Sequence, residues 1–416
     1  MTGLARSYLF AHFGKSLMWH GGNIAFAFFL TEICGQSPGA MGWLLATSSI
    51  INAVADGVIG TALAGRITDG ASASRQQLAG AIGAGIAFAA FCATGLVSGP
   101  VRFGYAMCSL FAFRIAYATM DVPQNALVAY LPVNTGQQEQ LITARMMTGY
   151  AAQVATAALI SSLLWESSSS DALYFALAGS TIGMLAIVTA FAFRRCWRNG
   201  KGVRKASLAP VTAEPVSSFV RLLIASGVFA FASTFVLRAQ TYIAAYGPGV
   251  DQGVSTSVFV PVAMAIGGLV GQPLWAMLCR RRGVLSTLRI ASAALIGGAL
   301  LFGASASAGS VCIALATALF GAALGGTSFA LWALLARGAR DGRAAMRFGI
   351  FTCTSKFAQA LSAVALGAAL TGVDYRAAVA AGANLWSISV IAAMGLGAAL
   401  LLFEVRLPVP RRGSSV

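Results

Sequence analysis

Charged residues are scarce in this sequence. Asp, Glu, Lys and Arg make up only 10% of the 416 residues, whereas 58% are hydrophobic. In soluble proteins roughly a quarter of the residues are charged. Apolar segments recur along the whole chain, and a helix of about 20 apolar residues crosses roughly 30 Å of hydrocarbon. The composition therefore excludes a soluble globular protein and indicates an all-α integral membrane protein with many spans.

Metal ligands and nucleophiles are also few. The chain has seven cysteines and two histidines. The cysteines lie mostly inside apolar runs without metal-ligand spacing, and their odd number gives no disulfide framework. The first apolar run lacks the basic flank and small-residue cleavage site of a signal peptide. We expect no metal and no cofactor, and we expect this first run to be retained as a span.

Basic residues outnumber acidic ones, 28 to 12, which gives a formal net charge of +16. They are concentrated in every second loop, as the positive-inside rule predicts for cytoplasmic loops. The opposite loops contain only Arg102 and Arg376 as bases. We therefore expect both termini in the cytoplasm, a location in a bacterial inner membrane, and no nucleic-acid partner. The basic loops contain Arg66, Arg75, Arg194, Arg195, Arg198, Lys201, Arg204, Lys205, Arg280, Arg281, Arg282, Arg337, Arg340, Arg343, Arg347, Arg406, Arg411 and Arg412.

Twelve apolar segments predict twelve transmembrane helices, and the longest polar stretch divides them into six and six. This arrangement is typical of the major facilitator fold, two pseudo-symmetric six-helix bundles with a site between them. We expect an N-terminal bundle at 1–193, a cytoplasmic linker at 194–217, a C-terminal bundle at 218–405 and a cytoplasmic tail at 406–416. The predicted spans are 8–32, 39–64, 78–98, 102–130, 144–165, 171–193, 218–246, 254–279, 285–306, 309–336, 346–371 and 378–403.

Seven ionisable residues lie within or near the predicted spans. A charge at the centre of a membrane helix costs about 2.5–3.5 kcal/mol on insertion scales, so such residues are candidates for a functional site. Five are bases and two are acids, which leaves an excess of positive charge. That excess predicts an anionic solute. The seven are Lys15, Asp56, Arg114, Asp121, Arg145, Arg238 and Lys356.

Asp56 is the candidate for coupling transport to a cation. It follows Asn52 by one helical turn, so both side chains lie on one face of the second span. Their oxygens could hold Na⁺, or the carboxylate could take up a proton; we favour the proton. The alternative is a static salt bridge, for which Lys356 is the expected partner.

Asp121 marks a candidate solute-binding face on the fourth span. Arg114 precedes it by seven residues, or two helical turns, and Gln124 and Asn125 follow it. These side chains could contact solute. The alternative is an Arg114–Asp121 ion pair that only stabilises one bundle.

Two bases of the second bundle complete the candidate set. Lys356 is a lone ammonium in an apolar segment, with Gln359 three residues later. Arg238 could face the site or could extend outward along the span. We interpret His12 and His20 as packing or polar-contact residues rather than proton relays.

Four separated stretches resemble one known family. They are "RSYLFAHFGKSLMWHGG", "INAVADGVIGTALAGRITDG", "YATMDVPQNALVAYLPVNTGQQEQLITAR" and "TSKFAQALSAVALGAALTG". In order and spacing they are similar to helices one, two, four and eleven of the glycoside–pentoside–hexuronide:cation symporters, the melibiose-permease branch of the major facilitator superfamily.

The resemblance implies a cation site that is only partly kept. Asp56 matches one of two helix-two carboxylates of the family, but Asn52 stands at the other, which favours H⁺ over Na⁺. Lys356 matches a helix-eleven lysine near the cation site. The segment "AGRITDG" resembles the loop that latches the two halves, and Arg66 and Asp69 are the candidate gating residues.

The solute site implied by the resemblance is altered. Asp121 matches a sugar-binding carboxylate and Arg145 matches an arginine near the sugar. Ser16, next to Lys15, stands where the family has a sugar-binding Asp. Arg114 and Arg238 have no counterpart in the family pattern.

We therefore predict a secondary transporter, not an enzyme. It is expected to import a small, anionic solute, such as a sugar acid or carboxylate, together with H⁺ by alternating access, and to be a monomer. The alternatives are a neutral glycoside symporter, an exporter of the same fold, and a membrane sensor that does not transport.

Overall fold

The described residues of the computed structural model form twelve long helices, labelled α1 to α12. A short helix, Phe26–Phe28, and a π-helical turn, Phe29–Ile33, continue α1, and a short helix, Tyr375–Ala380, precedes α12. The structure describes residues 3–64, 70–131, 135–165, 171–199, 216–247, 259–338, 344–371 and 374–401. The long helices are α1 Gly3–Ile24, α2 Pro38–Ala64, α3 Gly70–Cys92, α4 Gly99–Tyr130, α5 Thr135–Trp165, α6 Asp171–Asn199, α7 Val216–Tyr246, α8 Val260–Arg282, α9 Val284–Ala304, α10 Ser310–Gly338, α11 Ala344–Leu370 and α12 Leu385–Leu401.

Several helices extend beyond the segments that hydropathy indicates. Helix α5 begins at Thr135 rather than at 144, and α6 continues to Asn199, into the predicted linker. Hydropathy detects only the apolar part of a helix, whereas intrahelical hydrogen bonding continues into polar sequence. The rest of the predicted linker up to 215, the predicted tail at 406–416, and the loop with Arg66 and Asp69 lie outside the described residues.

The last span is shorter than expected. The sequence pattern predicts it from 378, but the chain turns at Gly382 and Asn384, both with positive φ (71° and 53°), and α12 begins only at Leu385. A left-handed backbone conformation interrupts a right-handed helix, and Gly and Asn adopt it most readily. The apolar segment is therefore split into a short helix and α12.

Seven of the described helices are individually long and apolar enough to cross a membrane: α2 and α6 to α11. Helices α1, α4 and α5 fall outside this group, and they carry Lys15, Asp121 and Arg145. Polar side chains therefore weaken the hydropathy signal in these three helices of the candidate site, whereas α2, α7 and α11 keep it although they carry Asp56, Arg238 and Lys356.

The most extensive helix contacts repeat between the two halves of the chain. In the first half α1 packs on α5 and α6, α4 packs on α2 and α3, and α3 packs on α6. The second half repeats each of these contacts with every helix number raised by six. The described residues therefore form two pseudo-symmetric six-helix bundles, as predicted.

Two helix pairs make the largest contacts between the bundles, α2 with α11 and α5 with α8, and α1 makes a smaller contact with α7. A Cβ atom on Gly42 would lie 3.0 Å from the carbonyl oxygen of Ala363, and one on Gly367 would lie 2.9 Å from that of Pro38. Only glycine fits this close α2–α11 crossing. This crossing lies toward the end of the molecule where α1 and α7 finish, which we call the Glu32 end. The opposite end, where α6 finishes and α7 begins, is called the linker end.

Candidate functional site

One buried ion pair lies inside the first bundle. Lys15 of α1 donates to Oδ1 of Asp121 of α4 at 2.5 Å, with side chains 6% and 11% exposed. Lys15 also donates to Oδ1 of Asn125 at 3.4 Å, and Arg145 of α5 donates to the same oxygen. Four candidates from three helices thus form one network.

A second buried ion pair joins the two bundles. Lys356 of α11 donates to Oδ2 of Asp56 and, at 3.0 Å, to Oδ1 of Asn52, both on α2. The two charged side chains are 4% and 2% exposed. Oδ1 of Asp56 is buried without a hydrogen-bond partner among the described residues. The ammonium therefore lies where the carboxylate and the amide oxygen converge.

The two ion pairs belong to one electrostatic system. The charges of Lys15 and Asp121 act on Asp56, and the charge of Lys356 acts on both Asp121 and Lys15. Between buried groups such interactions are only weakly screened. A change of charge at Asp56 is therefore felt at Asp121.

Arg238 and Arg114 form a third feature of the site. Arg238 of α7 is fully buried. Its Nη1 donates to the carbonyl oxygen of Gln359 at 3.1 Å. Its Nε and Nη2 have no hydrogen-bond partner among the described residues. Arg114 of α4 is 4% exposed, lies over the Phe113 ring at 5.6 Å, and has an unpartnered Nε. The charge of Arg114 acts on Arg238.

Burial of two guanidinium groups without a carboxylate is unfavourable by several kcal/mol per ion. The central carboxylates, Asp56 and Asp121, already accept from lysines. The region between Arg114 and Arg238 therefore carries positive charge that neither of these acids balances.

Two of the alternative interpretations from sequence are wrong. Asp121 pairs with Lys15 of α1 rather than with Arg114, which lies two turns earlier on the same helix as Asp121. Arg238 does not extend outward, since it is fully buried between α7 and α11.

Other candidates lie nearby with simpler contacts. Gln124 is fully buried and its side-chain amide has no partner among the described residues. Ser16 is buried beside Lys15 on α1. Gln359 supplies its backbone carbonyl to Arg238, and it is half-buried.

Sequence reasoning missed a cluster at the Glu32 end. Glu32 accepts hydrogen bonds from Tyr246 at 2.5 Å, Tyr375 at 2.6 Å and Arg376 at 2.8 Å, so a carboxylate of the first bundle is held by three donors of the second. The hydrogen bond from Arg376 to Glu32 raises the pKa of this loop guanidinium above its ordinary value. In the sequence, the sign of this cluster is that Glu32 and Arg376 both lie in or next to the loops opposite the basic ones.

Further contacts join the bundles just inside this cluster. Thr31 and Tyr242 share a hydrogen bond of 2.9 Å, and Thr241 donates to the carbonyl oxygen of Ile24 at 2.7 Å. The bundles are thus tied together from Glu32 to Asp56, and the Glu32 end is closed.

A sequence profile of the family described as MFS/sugar transport protein matches residues 7–407 of the chain. The chain belongs to this family. Family membership confirms the predicted major facilitator superfamily and places the chain among membrane transporters rather than enzymes. The finer resemblance to the melibiose-permease branch stays a prediction.

Among curated sequences, the chain is similar to the uncharacterized symporter YjmB of Bacillus subtilis (strain 168). The identity is 24% over 220 residues, which are 52% of this chain and 47% of that protein. The match thus spans about half the length of this curated relative.

Solved transporter structures share the fold. The xylose transporter XylE from E. coli, in a partially occluded inward-open conformation, superposes with a TM-score of 0.71 at 11% identity over 100% of both chains. A D-xylose-proton symporter gives 0.70 at 12% identity over 96% of this chain and 97% of that one. The nucleoside transporter NupG gives 0.61 at 13% identity over 96% and 98%. At these identities the likeness shows the fold alone.

Proposed function

We propose that the protein is a proton-coupled symporter that imports a small anionic solute across a bacterial inner membrane. In this proposal the Glu32 end faces outward, as the loop charges predict, and the protein works as a monomer. The observation that carries it is the Lys356–Asp56 ion pair, because this pair joins the two bundles at the centre of the fold.

Coupling follows from what a proton would do to this pair. A proton on the free Oδ1 of Asp56 neutralises the carboxylate, and Lys356 then loses its charged partner across the α2–α11 contact. The two bundles are released at that level and can move relative to each other. Alternating access in this fold is such a rocking of one bundle against the other around a fixed site.

The contacts of Lys356 favour H⁺ over Na⁺. A bound Na⁺ would need several oxygen ligands, and the two oxygens that converge at this place, from Asp56 and Asn52, already accept from the ammonium. A proton needs only one carboxylate oxygen. Asn52 is neutral, so this place has one carboxylate and attracts a metal cation less strongly than two carboxylates would.

The solute is assigned to the space lined by both bundles. Asp121, Asn125 and Gln124 offer hydrogen-bonding groups for solute hydroxyls, with Lys15, Ser16 and Arg145 beside them. Arg114, Arg238 and the neighbouring Gln359 attract an anionic group. A sugar acid combines both properties, and the resemblance of four stretches to glycoside–pentoside–hexuronide symporters supports this solute class. Arg66 and Asp69 are proposed to latch the linker end.

The test measures solute-driven proton movement. The purified protein is placed in liposomes with a pH-sensitive dye inside, without Na⁺, and sugar acids, carboxylates and neutral glycosides are added in turn. We expect internal acidification with an anionic solute, and its loss in Asp56→Asn. The same variant should retain exchange of radiolabelled solute across the membrane, since exchange needs no net proton movement.

Asp121→Asn is the matched control, because it removes the carboxylate of the pair inside one bundle. It should reduce solute exchange and acidification together. Acidification by neutral glycosides alone would overturn the anionic solute, and transport that requires Na⁺ would overturn proton coupling. Outward movement of protons with solute would show export.

A further inference from the structure

The two unbalanced arginines lie on opposite bundles. Arg114 belongs to α4 of the first bundle and Arg238 to α7 of the second. Both are buried, and the charge of one acts on the other. A ligand between them would therefore contact both moving parts of the transporter.

The free donors of Arg238 have a specific geometry. Nε and Nη2 form one edge of the guanidinium group with two parallel N–H bonds, and both atoms lack a partner among the described residues, while Nη1 is bonded to the carbonyl oxygen of Gln359. This edge matches two oxygens of a carboxylate or phosphate group. Arg114 adds at least its own Nε.

The charges of the surrounding groups set the charge of the ligand. The two lysine–aspartate pairs are each neutral overall. Arg145 is half-buried and donates to the amide oxygen of Asn125, so it adds a further positive charge. The more deeply buried Arg114 and Arg238 contribute two positive charges, and a single carboxylate would neutralise only one of them. Because a buried unpaired charge is costly, a ligand with two negative charges is favoured.

From these observations the geometry points to a doubly charged oxyanion group on the solute, bound between Arg114 and Arg238. A phosphate monoester or a pair of neighbouring carboxylates supplies this chemistry. The inference rests on the proposed function, since it specifies the anionic group of the same solute. Ligand binding also links the bundles, because the anion draws together two side chains that otherwise repel.

The test uses two pairs of small probes that differ in charge, and the members of the first pair also share their shape. Methyl phosphate carries up to two charges and methyl sulfate carries one, and both are tetrahedral; malonate and acetate are the corresponding carboxylates. Binding to the purified full-length protein in detergent is measured by calorimetry and by thermal shift at pH 7.5. We expect each dianion to bind at least about tenfold more tightly than its monoanion, as expected for added charge-assisted hydrogen bonds.

The relative affinities at pH 7.5 separate the two sources of the dianion, and the pH dependence checks the role of the second charge. Methyl phosphate should bind more weakly as the pH falls through about 6, where its second proton is taken up. A solute of the phosphate class is indicated if methyl phosphate binds more tightly at pH 7.5, and a dicarboxylate if malonate does.

Arg114→Gln and Arg238→Gln should each weaken dianion binding at least about tenfold. Arg102→Gln is the matched control, because Arg102 is a partly buried arginine bonded to the carbonyl oxygens of Cys34 and Val97, away from the site. If either variant fails to fold, Arg114→Lys and Arg238→Lys keep the charge and remove the two-donor edge. These variants should also weaken binding.

The outcomes distinguish this inference from the proposed function. Equal binding of methyl sulfate and methyl phosphate, with malonate equal to acetate, would overturn the double charge and leave an anionic solute standing. Dianion binding that is unchanged in the Arg114 and Arg238 variants would overturn the site. Failure of every anion to bind or to drive transport would overturn both proposals.

Discussion

Two aspartates in this protein have similar partners but different positions. Asp121 pairs with Lys15 inside one bundle, whereas Asp56 pairs with Lys356 between bundles. A salt bridge inside a rigid body is kept through a rocking motion, and a salt bridge between moving bodies has to break or shift. At the scale of single residues, we therefore expect the same chemistry to serve stability in one place and, in the proposed mechanism, coupling in the other.

The pair inside the first bundle gives a prediction about stability. Lys15→Met leaves Asp121 as a buried charge without its lysine, and we expect the variant to be destabilised by about 3–5 kcal/mol. The double variant Lys15→Met with Asp121→Asn should recover most of this loss. Both are measured as thermal unfolding midpoints in detergent. Equal losses in the single and double variants would show that the pair is not the source of the effect.

At the scale of helices, two glycines set how closely α2 and α11 approach at the Glu32 end. Gly42 and Gly367 leave no room for a side chain there. In the pseudo-symmetric α5–α8 contact, the ring of Tyr150 lies where a Cβ atom on Gly268 would be only 2.5 Å away. The two largest contacts between the bundles thus depend on residues without side chains.

The α2–α11 crossing predicts a conformational effect of added volume. Gly367→Leu should prevent full closure of the Glu32 end and raise the population open at that end. The measurement is the rate at which a membrane-impermeant maleimide labels Cys34, which is buried near this end, with the other cysteines replaced. We expect faster labelling in the variant.

Gly39→Leu is the matched control for this effect. Gly39 lies on the same helix one turn from Gly42, but a Cβ atom there has no neighbour within 4 Å. Its labelling rate should remain that of the unsubstituted protein. Similar rates in all three proteins would contradict a role for the glycine contact in closure.

At the scale of the whole molecule, the two bundles meet through a series of contacts that runs from the Glu32 end to the Lys356–Asp56 pair. Glu32 with its three donors closes the end, Thr31 and Tyr242 lie below it, and the Lys356–Asp56 pair lies deepest. Opening at the Glu32 end requires all of these contacts to separate. Charge at both limits of the series therefore stabilises the closed state.

Neutralisation of Glu32 is expected to shift the conformation of the whole molecule. Glu32→Gln removes the charge that Arg376 and the two tyrosines stabilise, so the closed state becomes less stable. Spin labels on exposed Leu96 of the first bundle and Val311 of the second report the distance between bundles at this end. We expect a larger population of long distances in the variant.

The tyrosine contribution can be separated from the charge. Tyr375→Phe removes one hydrogen bond and leaves the Arg376–Glu32 ion pair, so a smaller shift is expected. Because the pKa of Arg376 is raised by Glu32, its charge is present throughout the usable pH range, and its stabilising effect is lost only at pH values above that raised pKa. Opening at acidic pH would then arise from protonation of a carboxylate, either Glu32 or, in the proposed mechanism, Asp56.

The sequence alone determined the class of the protein and the residues to examine. Three local properties of the sequence were enough for this. They are the twelve apolar segments, the polar stretch that separates six from six, and the few charged residues inside apolar segments. Hydropathy did not predict the ends of α5, α6 and α12. Helices α5 and α6 continue into polar sequence, and a left-handed turn interrupts the apolar segment before α12.

The partners of the buried charges follow from the tertiary packing. Lys15 is 106 residues from Asp121 and Lys356 is 300 residues from Asp56, so no local pattern could pair them, and the local pattern instead suggested Arg114 for Asp121. The same holds for Glu32 and for the two arginines. Which buried charges are neutralised, and which are left for a ligand, depends on how helices distant in sequence pack, because electrostatic interaction acts through space and not along the chain.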